Sequence, residues 1–447
     1  MKLNILKLNV MHPLRGFGLL RTHEGAPAAA VTPEQALRRS VLACMLWERE
    51  FYEDGVSIAD RIKALVPQVA AGRVAALAIE ARTAMKLRHV PLLLVREMAR
   101  HATHRALVAE TLAAVIQRAG ELAEFLAIYW ADGKVPLSGQ VKKGLAAAFS
   151  KFDEYQLAKY DRANAVRLRD VLFLCHAKPV DSAQAALWKR LIASELATPD
   201  TWEVELSAGS TDKCTSWTRL LSENKLGALA LLRNLRNMKT AGVDEGLVER
   251  ALDTMKTDRV LPFRFLAAAR YAPQWEESLE RAMFRALSGA ARMSGRTVLL
   301  VDVSGSMSAV LSRKSEMQRV DAAYGLAVLL REICEKVSIY TFSQDAVFVA
   351  PRRGFALRDA MEASQPHGAT YLGRALASVR EPYDRIVVIT DEQSHDQVPA
   401  PRGKGYMINV ASARNGVGYG AGAQSWSHID GWSEAVVEYI RELESAT

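Results

Sequence analysis

Thr297-Val298-Leu299-Leu300-Val301-Asp302-Val303-Ser304-Gly305-Ser306-Met307-Ser308 carries more information than any other stretch of this chain. Its first five residues are apolar or β-branched and predict a buried strand. The strand stops at Asp302-x-Ser304-x-Ser306, which crowds one carboxylate and two hydroxyls into a single turn at its carboxyl end. A hard divalent cation such as Mg²⁺ is held in this way: few ligands, all of them oxygen, with a position left open for a partner's oxygen.

Outward from this turn, strand-like runs at 298–301, 337–342, 346–349, 385–390 and 406–410 alternate with helical stretches at 316–335, 355–363, 371–379 and 432–444. Apolar strands alternating with helices predict a largely parallel sheet covered on both faces. Ligands in such sheets gather at the carboxyl ends of the strands. Two further loops arrive there, His367-Gly368-Ala369-Thr370 and Thr390-Asp391-Glu392. The expected metal set is therefore Asp302, Ser304, Ser306, Thr370 and Asp391. Its neutral hydroxyls leave the ion electron-poor and ready for an added carboxylate or phosphate oxygen. The alternative is a loop held by hydrogen bonds among these same side chains. The pattern resembles the metal-dependent adhesion site of von Willebrand factor A domains, with Ala369 where many such domains have a second glycine.

From about Thr32 to Gly289 the pattern is helical nearly throughout. Thr32-Pro33 is a helix start, Val95 to Ile116 reads as one amphipathic helix, and Gly, Pro or Asp break the rest into short helices. Such a series predicts a solenoid of stacked helix pairs, followed after residue 292 by an α/β, Rossmann-like domain. The domains expected are thus 1–292 and 293–447. Charge divides the same way: 42 basic against 32 acidic residues before 293, and 16 against 18 after it. Only the helical part is matched to a polyanion. No apolar run approaches the ~18–20 residues that cross a bilayer, and Met1 to Gly18 lacks the continuous apolar core of a signal peptide. A cytoplasmic protein without membrane contact is expected. Cys44, Cys175, Cys214 and Cys334 are scattered, which favours free thiols. No Ser/His/Asp triad, HExxH or GxxxxGK[ST] loop is present, so catalysis is not expected. His101-x-x-His104 lacks a third ligand at zinc spacing.

Three helical segments stand out: a polar stripe of Arg96, Arg100, His104 and Arg105, a basic stretch from Gln140 through Lys142, Lys143, Lys159 and Arg162 to His176, and Leu232-Arg233-Asn234-Leu235-Arg236-Asn237-Met238. Together with Ala158-Lys159-Tyr160, Leu172-Phe173-Leu174-Cys175-His176-Ala177-Lys178-Pro179 and the Asp302 motif, they resemble the Ro protein family. That family joins a TROVE domain, a ring of HEAT-like helical repeats, to a carboxyl-terminal von Willebrand A domain. The resemblance runs from about residue 30.

It implies a non-catalytic, monomeric RNA-binding protein. Small structured Y-like RNA is expected on the basic outer face, and single-stranded 3′ ends of misfolded RNA in the central hole. It further implies RNA quality control with an exoribonuclease or other protein partner. By motif match Lys159 and His176 take the positions of residues that contact Y RNA, and Arg162 matches with a one-residue shift. Lys142, Lys143, Arg100, His104, Arg105, Arg233 and Arg236 join the expected RNA set on charge. For Tyr160 and His176 the competing reading is packing between helices; for Arg233 and Arg236 it is a polar network within the wall. A second hypothesis for the whole chain is a metal-dependent protein-binding adaptor without RNA.

Overall fold

The computed structural model describes residues 20–21, 27–28, 32–43, 55–85, 87–161, 165–198, 212–257, 260, 262–289, 292–311, 317–411, 417–418, 426–430, 436–437, 440–441 and 444. Arg162, Cys44 and most of the expected helix 432–444 lie outside them.

A short antiparallel ladder, β1 (Leu20–Arg21) with β2 (Pro27–Ala28), precedes the helices. The expected start at Thr32 is realised as a capping box: Thr32 Oγ1 accepts from Gln35 N at 3.2 Å, and Thr32 N donates to Gln35 Oε1 at 3.0 Å. Ten helices follow: α1 (Pro33–Ala43), α2 (Gly55–Leu65), α3 (Ala71–Thr83), α4 (His89–Arg100), α5 (Val108–Val115), α6 (Gly120–Tyr129), α7 (Gly139–Phe149), α8 (Glu154–Tyr160), α9 (Leu168–Cys175) and α10 (Ser182–Ala193). Alternate helices touch: α3 with α5, α5 with α7, α7 with α9, and in the other row α2 with α4 and α4 with α6. This is the two-layer stacking of a solenoid. The rows approach closely where side chains are small. A Cβ on Gly144 in α7 would meet the Ala109 carbonyl of α5 at 2.8 Å.

The single helix expected over Val95–Ile116 is two helices. His101 turns to an extended backbone after α4, and a 3₁₀ turn at Arg105–Leu107 leads into α5. Helix α9 was not expected either.

A second run, α11 (Lys213–Ser222), α12 (Ala228–Thr240), α13 (Glu245–Thr254), α14 (Pro262–Tyr271) and α15 (Glu276–Leu287), repeats the alternate contacts, α11 with α13, α12 with α14 and α13 with α15. The row then continues into the α/β part, because α14 packs on α16 (Arg319–Ile333). At Gly325 a Cβ would stand 3.2 Å from that of Phe263. The sheet has the order β5-β4-β3-β6-β7-β8, with β3 (Met293–Asp302), β4 (Cys334–Phe342), β6 (Arg385–Thr390), β7 (Lys404–Asn409) and β8 (Ser427–Asp430) parallel and β5 (Ala346–Phe348) antiparallel at one edge. Helices α17 (Gly354–Glu362) and α18 (Leu372–Ser378) complete the layers. Strand β8 is an addition to the sequence reading.

The described apolar side chains gather into two principal cores. One holds apolar side chains from Leu37 to Leu191. The other runs from Trp217 through Leu299 and Val387 to Ile440, so α11–α15 and one face of the sheet share it. A smaller cluster around Leu300, Leu376 and Val388 fills the opposite sheet face. Helix α1 lies against β8. Among the described residues no helix is long and apolar enough to cross a membrane.

Candidate metal centre and nucleic-acid interface

Parallel pairing of β3 with β6, with Val301 opposite Ile389, sets Asp302 beside Thr390 at the carboxyl ends of the two strands. Thr390 Oγ1 donates to Asp302 Oδ2 at 2.6 Å, and Ser304 N donates to Asp302 Oδ1 at 2.9 Å. Ser304 Oγ is 3.3 Å from Ser306 Oγ, in a 3₁₀ turn (Gly305–Ser308) anchored by buried Met307. Gly305 N donates to the Gly368 carbonyl at 2.8 Å, which ties this loop to the one carrying Thr370. Asp302, Ser304, Thr370 and Asp391 are buried, while Ser306 is half-buried and Gly305 exposed. The access is at that turn.

Burial, and secondarily the Asp391 charge, holds the Asp302 carboxyl above the ordinary carboxylate range. Two buried carboxylates that repel each other are a state that a cation relieves. Among the described residues no three His, Cys, Asp or Glu side chains gather, so the centre depends on its hydroxyls. That donor set, two carboxylates with Ser304, Ser306 and Thr370, fits a hard divalent ion rather than zinc. Arg319, buried at the start of α16, adds a guanidinium nitrogen 3.7 Å from Asp391 Oδ2. The sequence reading missed it, because an arginine opening a helix is ordinarily solvated.

The expected RNA residues separate into groups. Lys159 and Arg233 line one cavity of about 830 Å³ between the first core and α12, together with Arg88, Arg118, Lys225, Tyr155 and Tyr160. Arg88 is paired with Glu124 and Lys225 with Glu223. No carboxylate among the described residues pairs with Arg118, Lys159 or Arg233. Tyr155 is 51% exposed, whereas Tyr160 also packs on the first core. Arg88, Arg118 and Lys225 were missed. Each sits in a different turn, and no local charge run marks them.

A second group is on the surface. Lys142 Nζ is 3.4 Å from Nε2 of exposed His176, the left-handed residue (φ 54°) that ends α9. Lys143 is exposed beside it, and Phe173, three residues before His176 on the same helix, is 58% exposed. Arg236 is exposed, with its guanidinium 6.0 Å from the centre of the Tyr271 ring.

The segment from Arg96 to Arg105 departs from the expected polar stripe. Arg96 is buried and paired with Glu97 and Asp132; Arg100 donates to Asp132 at 2.9 Å. His104 is buried with Nε2 3.0 Å from the Val69 carbonyl. It ties the turn after α4 to the turn before α3. Arg105 is exposed.

Comparison with known proteins agrees with this architecture. The TROVE domain family model matches residues 179–321, and the von Willebrand factor type A domain model matches 297–393. The chain thus carries a match to the TROVE model followed by a match to the von Willebrand A model. Its fold is that of the Ro proteins: the crystal structure of Deinococcus radiodurans Ro (RSR) protein superposes with a TM-score of 0.61 at 18% identity, covering 92% of this chain and 98% of that one. A segment of 128 residues is 31% identical to telomerase protein component 1 of Rattus norvegicus, spanning 27% of this chain and 4% of that protein.

Proposed function

We propose that this chain is a non-catalytic, cytoplasmic, monomeric RNA-binding protein of Ro type. The carrying observation is the trio Arg118, Lys159 and Arg233, which have no carboxylate partner among the described residues and line one cavity from three separate segments. Cations left without carboxylate partners are what phosphate neutralisation requires. Tyr155 beside them gives an unstacked base a ring to lie on. In this reading the cavity takes single-stranded 3′ ends of misfolded RNA. Contact between α1 and β8 supports a helical array closed into a ring around that opening. Structured Y-like RNA binds the outer surface at Lys142, Lys143 and His176, with Phe173 at hand for a terminal base.

The α/β domain, 293–447, recruits a protein such as an exoribonuclease for RNA quality control. Asp302, Ser304, Ser306, Thr370 and Asp391 would hold Mg²⁺ there. When bound, the ion offers an open position to a carboxylate or phosphate oxygen.

Two sets of substitutions test the division of RNA between surfaces. R118E/K159E/R233E should weaken a single-stranded RNA by about 100-fold near 50 mM salt, lowering the salt slope by about one per residue. K142E/K143E should instead weaken a stem-loop RNA. Fluorescence anisotropy reads both. Unchanged affinity for both RNAs in both variants would leave the protein-binding adaptor as the better account.

A further inference from the structure

Arg319 is the first residue of α16, and its side chain is 1% exposed. Two physical terms oppose that position. A guanidinium taken out of water must find an anion, and the amino end of a helix carries partial positive charge. The helix start does not depend on this side chain. Gln318 N donates to Asp321 Oδ2 at 2.7 Å, and the same oxygen accepts from Arg270 Nη1 at 2.6 Å. Arg319 contributes only its backbone there, its N–H donating to the Ala309 carbonyl at 2.9 Å.

The guanidinium points to Asp391 instead. Its Nη1 stands 3.7 Å from Oδ2, while Oδ1 of that fully buried carboxylate accepts from Gln393 N at 3.2 Å. Asp391 is one of two carboxylates in the expected metal set; the other, Asp302, is equally buried. Nearby Glu392 already has a partner in His428, at 2.7 Å. A cation bound among the expected ligands would draw on the same Asp391 carboxylate that Arg319 faces.

We propose that Arg319 is a positioning residue of the metal centre: by sharing Asp391 with the cation it weakens the cation's hold. The inference rests on the metal reading above. It makes the centre a weak, exchangeable metal site rather than a structural one.

R319M keeps the length of the stem and removes the charge; R319K keeps the charge. Calorimetric titration of the full chain with Mg²⁺ should give about tenfold tighter binding for R319M and binding within about threefold of wild type for R319K. In thermal melts R319M should be less stable than wild type in EDTA and recover in excess Mg²⁺. Equal Mg²⁺ affinity in wild type and R319M would overturn this proposal alone. So would an R319M protein that stays unfolded in excess Mg²⁺, since the guanidinium would then be structural. Binding by R319M with none by wild type would support it strongly. If neither binds Mg²⁺, the metal reading fails and the proposal with it.

Discussion

The two cores of this molecule handle charge differently. The first core, α1–α10, buries ion pairs such as Arg96 with Glu97, but the cations on its outside and on the wall of the cavity are widely spaced and exposed or half-buried. The α/β part buries its charged constellation at the strand ends, where Asp302 and Asp391 are fully enclosed. Under the proposed function, different ligands account for these solutions. A polyanion offers many equivalent phosphates, so its site can be diffuse, and losing one lysine costs a fraction of the affinity. A metal ion needs a handful of oxygens in one place, and the loss of one carboxylate removes the site.

The comparison breaks most visibly if the cores are not independent. Leu299 of β3 is fully buried in the core that also holds Trp217 and Leu235. Leu299→Ala should cost about 2–5 kcal/mol. Calorimetry should show a transition containing α11–α15 and the sheet moving down, with a separate transition for α1–α10 left in place. If both move equally, the division by packing is wrong. Next in size, Asp302→Ala should abolish the thermal stabilisation by Mg²⁺ while RNA affinity stays within about twofold. An equal fall in RNA binding would mean that the diffuse and the compact sites are coupled.

What could be read in advance follows from how local each feature is. The cluster of carboxylates and hydroxyls was legible because a strand-ending Asp-x-Ser-x-Ser and a strand-ending Thr-Asp each mark themselves, and the parallel pairing of β3 and β6 joins them. The cavity was only half legible. Lys159 and Arg233 stood in recognisable segments, but Arg88, Arg118 and Lys225 join them only where the folded chain lines one cavity. Strand β8, Ser427-His428-Ile429-Asp430, has no apolar run to announce it. Arg96 and His104 were misread for one reason. Helical periodicity treats a polar side chain as solvated, whereas a buried one can be satisfied by a partner far along the chain. His104 finds the Val69 carbonyl 35 residues away, and Arg96 finds Asp132 36 residues away.

That last pair supplies the smallest effect and a direct check on the misreading. Asp132 accepts from Arg100 and from buried Arg96, and these hydrogen bonds, Arg100 first, hold its carboxyl down to about 2. A carboxylate whose folded pKa is depressed adds stability above its unfolded value, near 3.9, and loses it as pH falls toward 2. Because the Asp132 side chain is about half exposed, solvent screens the pair and the contribution is modest. Asp132→Asn should therefore lower the urea midpoint slightly at pH 6 and flatten its fall between about pH 4 and 2 relative to wild type. Parallel curves across that window would mean that Glu97 alone neutralises Arg96. The segment around Arg100 would then be free to serve as the basic surface that its sequence suggests.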